Sequence, residues 1–110
     1  MAYDEELANR IRTEVQDVDG VTEMRMFGGL AFLVGGNMAV AASGQGGLLL
    51  RVHPAETESL AAEPHADRFV MRGREMDGWL RVEPEGVESD ADLSRWVEIG
   101  VRYASSLPPK

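Results

Sequence analysis

Between residues 27 and 52 the chain alternates short apolar runs with clusters of glycine, and few folds accept that pattern. Leu30 to Val34 is a continuous apolar run of strand length, and Met38 to Ala42 and Leu48 to Val52 follow it. Between them stand Gly35-Gly36-Asn37 and Ser43 to Gly47. Glycine and asparagine tolerate positive φ, which tight hairpin turns require. Gly28-Gly29 punctuates the start of this region. Before it, Thr22 to Phe27 alternates, with Glu23, Arg25 and Phe27 on one face and Met24 and Met26 on the other. The pattern predicts four short strands in an antiparallel meander. The stretch up to Leu50 is also the longest uncharged one in the chain. A membrane helix needs about 20 predominantly apolar residues in one piece, and the glycines cut this stretch into strands.

Helical spacing flanks the strands. Asp4 is placed to cap a helix whose first turn holds Glu5 and Glu6, near the positive end of the helix dipole. Leu7, Ile11, Val15 and Val18 recur on one face, with Ala8 beside them, and the helix is expected to stop near Asp19-Gly20. Glu6 and Arg10 are spaced for a pair along it. Pro54 suits the first residue of a short helix running towards Glu63, and Pro64 ends it. Arg68 to Met71 and Gly78 to Val82 read as a second hairpin, with a longer turn around Gly73 to Asp77. Ser89 and Asp92 match a capping box. After them Leu93, Trp96, Val97, Val101, Ala104 and Leu107 mark one helical face, and Pro108-Pro109 stops it. The expected fold is α+β: a single two-layer domain over residues 1–110, with helices on one side of an antiparallel sheet, in the order α-ββββ-α-ββ-α.

Charge and composition exclude several functions. The 110 residues carry 11 basic and 19 acidic side chains, a formal net charge of -8. Such a surface repels phosphate backbones, so non-specific DNA or RNA binding is not expected, nor is an anionic membrane surface. There is no cysteine, which removes disulfides, thiolate catalysis and zinc-thiolate sites. Met1 to Arg10 is polar and acidic, unlike a secretory leader, and a cytoplasmic place is expected.

Each catalytic or metal pattern has a plainer explanation. His53 and His65 sit beside Pro54 and Pro64 without ligand spacing, and read as exposed loop residues. Asp90 and Asp92 occupy two calcium-loop positions, but the glycine and terminal glutamate are missing. Gly44-Gln45-Gly46-Gly47 precedes a strand, whereas a phosphate loop opens a helix. Ser43-Gly44 follows Ala42 and Ala41, so the nucleophile-elbow pattern is absent. No catalytic residue, metal or cofactor is assigned.

Arginines on strands are more informative. Arg25, Arg51 and Arg81 each stand among apolar neighbours. Alternation puts Arg51 with Leu49 and Arg81 with Trp79 on a sheet face. One reading is a half-exposed face with arginine stems packed along it, each paired with an acid such as Glu23, Glu83 or Glu98. The other is a site for an anionic ligand or an acidic partner, with Trp79 beside it. The candidate binding residues are Arg25, Phe27, Gly28, Gly29, Arg51, Trp79 and Arg81, the two glycines leaving backbone open to close approach.

Taken in order, Tyr3-Asp4-Glu5-Glu6-Leu7, Arg25-Met26-Phe27-Gly28-Gly29, Gly36-Asn37-Met38, Leu48-Leu49-Leu50-Arg51-Val52, Gly78-Trp79-Leu80-Arg81-Val82 and Ser106-Leu107-Pro108-Pro109-Lys110 resemble the N-terminal domain of the TfoX/Sxy family. The resemblance spans nearly the whole chain and implies a two-layer α+β fold. Members of that family regulate natural competence, promoting transcription of DNA-uptake genes together with the cyclic-AMP receptor protein. Its full-length regulators carry a second, C-terminal domain, so a stand-alone N-terminal domain is expected here. The resemblance implies a non-enzymatic regulatory module with a protein partner, and it transfers no catalytic residue. A small-molecule or nucleotide-binding domain using the Arg/Trp face is the alternative, and an uncharacterised enzyme the third. Monomer and homodimer both stay open.

Overall fold

A computed structural model describes residues 3–26 and 28–109, with Met71 by its backbone only. The elements run α1 (Glu5–Glu14), β1 (Val21–Met26), β2 (Gly29–Val34), β3 (Asn37–Ala42) and β4 (Leu48–Arg51). A 3-10 turn (Pro54–Glu56) and α2 (Thr57–Ala61) follow, then β5 (Ala66–Met71), β6 (Arg74–Val82), a second 3-10 turn (Pro84–Val87) and α3 (Asp90–Ser106). This is the expected α-ββββ-α-ββ-α order. The six strands form one antiparallel sheet in the order β1-β2-β3-β4-β6-β5.

All helices lie on one face. Leu7, Ile11 and Val15 of the first helical segment and Leu93, Trp96 and Val97 of α3 pack with Leu30, Phe32, Val40, Leu48, Leu50, Leu80 and Val82 from the sheet. Among the described residues, the other face is built from strand residues: Ala31, Leu33, Met38, Ala41 and Leu49, flanked by Met26, Phe69 and Trp79. Central strands buried on both faces read as continuous apolar runs. All six residues of β2 and all six of β3 are buried.

Local signals account for the ends. The Asp4 carboxylate accepts from the amides of Glu6 at 2.9 Å and Leu7 at 3.2 Å, and the Ser89 hydroxyl accepts from the Asp92 amide at 3.1 Å. Each removes unpaired donors from a first helical turn. α1 itself stops at Glu14, earlier than its apolar spacing suggests, and turns carry the chain on to Gly20. Arg10 does not pair with Glu6. It donates to the Glu88 carbonyl at 3.1 Å and to Asp90 at 3.2 Å, which ties α1 to the start of α3.

The second hairpin differs from the sequence expectation. Its turn is the two residues Arg72 and Gly73, both at positive φ (54° and 77°), and β6 begins directly at Arg74. The irregularity falls further on. Phe69 pairs with Met76 but Arg68 pairs with Leu80, so Asp77, Gly78 and Trp79 bulge out of the β5 ladder. Gly78, at φ 85°, makes that bulge possible. A smaller bulge leaves Ala39 of β3 unpaired, because Phe32 pairs with Val40 and Leu33 with Met38. α3 lies directly on it: a Cβ at Gly100 would stand 2.6 Å from the Ala39 carbonyl oxygen. That close approach sets where the last turns of α3 run.

Candidate functional site

Two of the sequence-derived site residues come together. Arg51 and Trp79 are directly opposed across β4 and β6, and the Arg51 guanidinium lies 5.6 Å from the centroid of the Trp79 ring. Arg51 is the last residue of β4, so its side chain turns over the end of the sheet. There it also stands 5.6 Å from the ring centroid of Tyr103 on α3. One cation thus faces an indole from the helix-free face and a phenol from the helical layer. Both distances are within reach of a cation–π attraction. Among the described residues no carboxylate pairs with Arg51.

The remaining residues separate. Arg81 shares the helix-free face, since it is registered against Leu49, but its guanidinium donates to the Gly46 carbonyl at 2.6 Å and pins the β3–β4 turn. Arg25 is registered against Leu30, which faces the helices, so it lies on the opposite face from Arg81 and on the outermost strand. Glu23 shares that face and is held by Arg12 through two hydrogen bonds, of 2.7 and 2.9 Å, while Glu98 pairs with Arg102 at 2.6 Å. Two of the acids considered for the strand arginines, Glu23 and Glu98, are therefore held by helical arginines, and among the described residues Glu83 pairs with none of the three strand arginines. Gly28, at φ 75°, is open, whereas a Cβ at Gly29 would strike the Ala42 carbonyl oxygen at 2.1 Å. Gly29 thus serves strand packing, not access for a ligand. Phe27 lies outside the described residues.

Tyr103, whose ring Arg51 approaches, also lines a cleft of about 510 Å³ between the Pro54–α2 segment and the end of α3. Ala55, Leu60 and Ile99 give it an apolar wall, and His53, Glu56, Arg102, Tyr103 and Ser106 a polar rim. The Pro54–α2 wall is held by Thr57, which is buried: its hydroxyl donates to the Pro54 carbonyl and accepts from the Gly78 amide, both at 2.8 Å. The Gly78 bulge that aims Trp79 is therefore bonded to the segment that forms the cleft. His53 is exposed, as expected of a loop residue, but it is not idle. Its Nδ1 accepts from the Ala55 amide at 3.0 Å, which places the neutral ring's proton on Nε2. Its ring meets Tyr103 edge-on at 5.9 Å.

Sequence reasoning missed the cleft. The usable signal was a second helical stripe beside the core face of α3, Ile99, Tyr103 and Ser106, at i, i+4 and i+7. Its partner His53 carries no such signal, because a single histidine before a proline has the pattern of any loop. Among the described residues, no group of three or more histidine, aspartate or glutamate side chains gathers to hold a metal ion. No helix among them is long and apolar enough to cross a membrane.

The fold and this site define a small α+β domain with a cation presented between two aromatic rings at a sheet end. The chain belongs to the TfoX N-terminal domain family, whose model matches residues 13–104. No curated protein matches the chain.

Proposed function

We propose that this domain is a regulatory protein-interaction module without catalytic activity, and that it receives an acidic segment of a partner protein at the Arg51 end of the sheet. The observation that carries the reading is Arg51 itself. In a chain with 19 acids and 11 bases, its half-buried guanidinium has no carboxylate partner among the described residues and is fixed between Trp79 and Tyr103. A guanidinium binds a carboxylate through two parallel hydrogen bonds, and aromatic and arginine side chains dominate interface hot spots. The regulatory part comes from resemblance to competence regulators, and the absence of cysteine fits a reducing, cytoplasmic place of action. The strongly acidic surface argues against direct, non-specific contact with nucleic acid. The test is affinity capture from native extract with the wild type and with Arg51→Gln, after their melting temperatures have been matched. A partner captured by the wild type and lost by the variant supports the reading. Equal capture by both removes Arg51 from the site.

A second reading has its own observation. The cleft has the volume of a small-molecule site and combines an apolar wall with a few polar groups. An anionic metabolite or nucleotide with an apolar body suits it. A thermal-shift screen against such compounds separates the two readings, since a protein-only interface gives no hit that Arg51→Gln or Tyr103→Ala abolishes.

A further inference from the structure

β1 is an outermost strand. It pairs with β2 over six residues without interruption, from Val21↔Val34 to Met26↔Gly29. The opposite edge, β5, is broken by the register shift between Arg68 and Phe69. Natural sheets blunt their edges with bulges, prolines or charge. β1 has neither bulge nor proline. Its charges are one of each sign, Glu23 and Arg25, on either side of Met24, which is 53% exposed and faces the helix-free side.

We propose that β1 is the interface with a second copy of this chain, paired antiparallel about a two-fold axis through Met24, so that two sheets become one. The backbone permits this register. The Gly35 amide donates to the Gly20 carbonyl at 3.2 Å, which makes Gly20 and Gly35 a hydrogen-bonded pair. Along an unbroken antiparallel ladder such pairs alternate. The main-chain groups of Thr22, Met24 and Met26 therefore turn towards β2, and those of Val21, Glu23 and Arg25 turn outwards. With the axis at Met24, Glu23 lies opposite Arg25 of the second copy, and both offer outward-facing groups. The two Met24 residues form the non-hydrogen-bonded pair between them, in which side chains come closest.

Charge selects this register over its neighbours. An axis at Glu23 sets two carboxylates directly opposite each other, and an axis at Arg25 sets two guanidinium groups opposite each other. Like charges so placed are destabilising. The axis at Met24 makes two Glu23–Arg25 pairs instead. Among the described residues Arg25 has no ion-pair partner. The Glu23 carboxylate accepts two hydrogen bonds from Arg12 and has further acceptor capacity. On the other face Met24 of each copy extends the apolar surface of Met26, Ala31 and Leu33. This pairing is independent of the Arg51 reading, because β2 and β3 separate β1 from β4.

A charge-swap experiment by sedimentation velocity tests it. The wild type should show a concentration-dependent dimer. Glu23→Arg gives a chain with two cations on the strand and Arg25→Glu one with two anions, and each should weaken self-association at least ~10-fold. Mixing the two variants should restore a one-to-one heterodimer, since every cross-strand pair is then of opposite sign. Met24→Arg, at an exposed position, sets two cations at the axis and should give a monomer with an unchanged circular dichroism spectrum. This variant decides the matter if Glu23→Arg unfolds on losing Arg12. A wild type that stays monomeric at millimolar concentration overturns the proposal. So does a dimer that the variants leave intact, or a pair of folded single variants that fail to associate on mixing.

Discussion

The Gly78 amide donates to the hydroxyl of Thr57 at 2.8 Å, and through that bond the β6 bulge, the Pro54 turn and the wall of the cleft are fixed to one another. The same hydroxyl donates to the Pro54 carbonyl, so one side chain completes the hydrogen bonding of two separate stretches of backbone. Replacing Thr57 by valine keeps the shape and removes the hydroxyl. A buried amide left without a partner costs about 1–3 kcal/mol. Urea denaturation of Thr57→Val should show a loss in that range, and a loss near zero would mean that the bond does not hold the bulge.

Trp96 is 3% exposed and packs in the main core from the face of α3, with the Arg95 guanidinium 4.7 Å from its ring centroid. Truncating a large buried aromatic removes its transfer free energy and leaves a cavity. Trp96→Ala should cost ~3–5 kcal/mol. A measured loss below ~1 kcal/mol would contradict the burial of that helix face.

The Arg12–Glu23 pair predicts a pH dependence of defined sign. Hydrogen bonding from Arg12, then its charge, holds the Glu23 carboxyl below its usual value of 4.5. A carboxyl depressed in the folded state adds stability that is present above the unfolded value and disappears as pH falls through the folded one. The hydrogen bond to Glu23 holds the Arg12 guanidinium above its ordinary range, so its own loss of stability lies at alkaline pH beyond the working range. Unfolding of the wild type and Glu23→Gln should therefore be compared from about pH 6 down to about pH 3. The wild type should be more stable at the upper end and the difference should close at the lower. Because both side chains are well exposed, the difference is expected to be small and to shrink with added salt. A gap that is constant across the range would assign the effect to something other than this carboxylate.

Much of the fold was legible because its causes are local. The caps at Asp4 and Ser89, the Gly35-Gly36 turn and the stripe through Leu93, Trp96 and Val97 each act within a few residues. The β5–β6 turn was misread for a local reason too. Arg72 takes positive φ, a conformation that sequence reasoning reserves for glycine, asparagine or aspartate. The candidate site was legible only in part. That Arg51 and Trp79 lie on sheet faces follows from alternation, but their opposition depends on β4 pairing with β6 over β5, a long-range choice. Alternation gives a face only relative to its own strand, so it does not separate Arg25 from Arg51 and Arg81. The register against Leu30 sets it on the helical side. The role of Tyr103 comes from the packing of α3 on the Ala39 bulge, where Gly100 allows the helix to sit on backbone, and no motif announces that.

Arg51 is proposed as a carboxylate-binding cation set between Trp79 and Tyr103, 5.6 Å from each ring centroid. Nuclear magnetic resonance titration of the labelled protein with a short glutamate-rich peptide tests it most directly, followed at the Arg51 side-chain Nε–H and the Trp79 indole N–H. These two signals should move first and saturate together, and Arg51→Gln should abolish the shift at Trp79 while leaving the spectrum of the fold intact. Saturable shifts centred elsewhere, or a Trp79 response that persists in Arg51→Gln, would contradict the account.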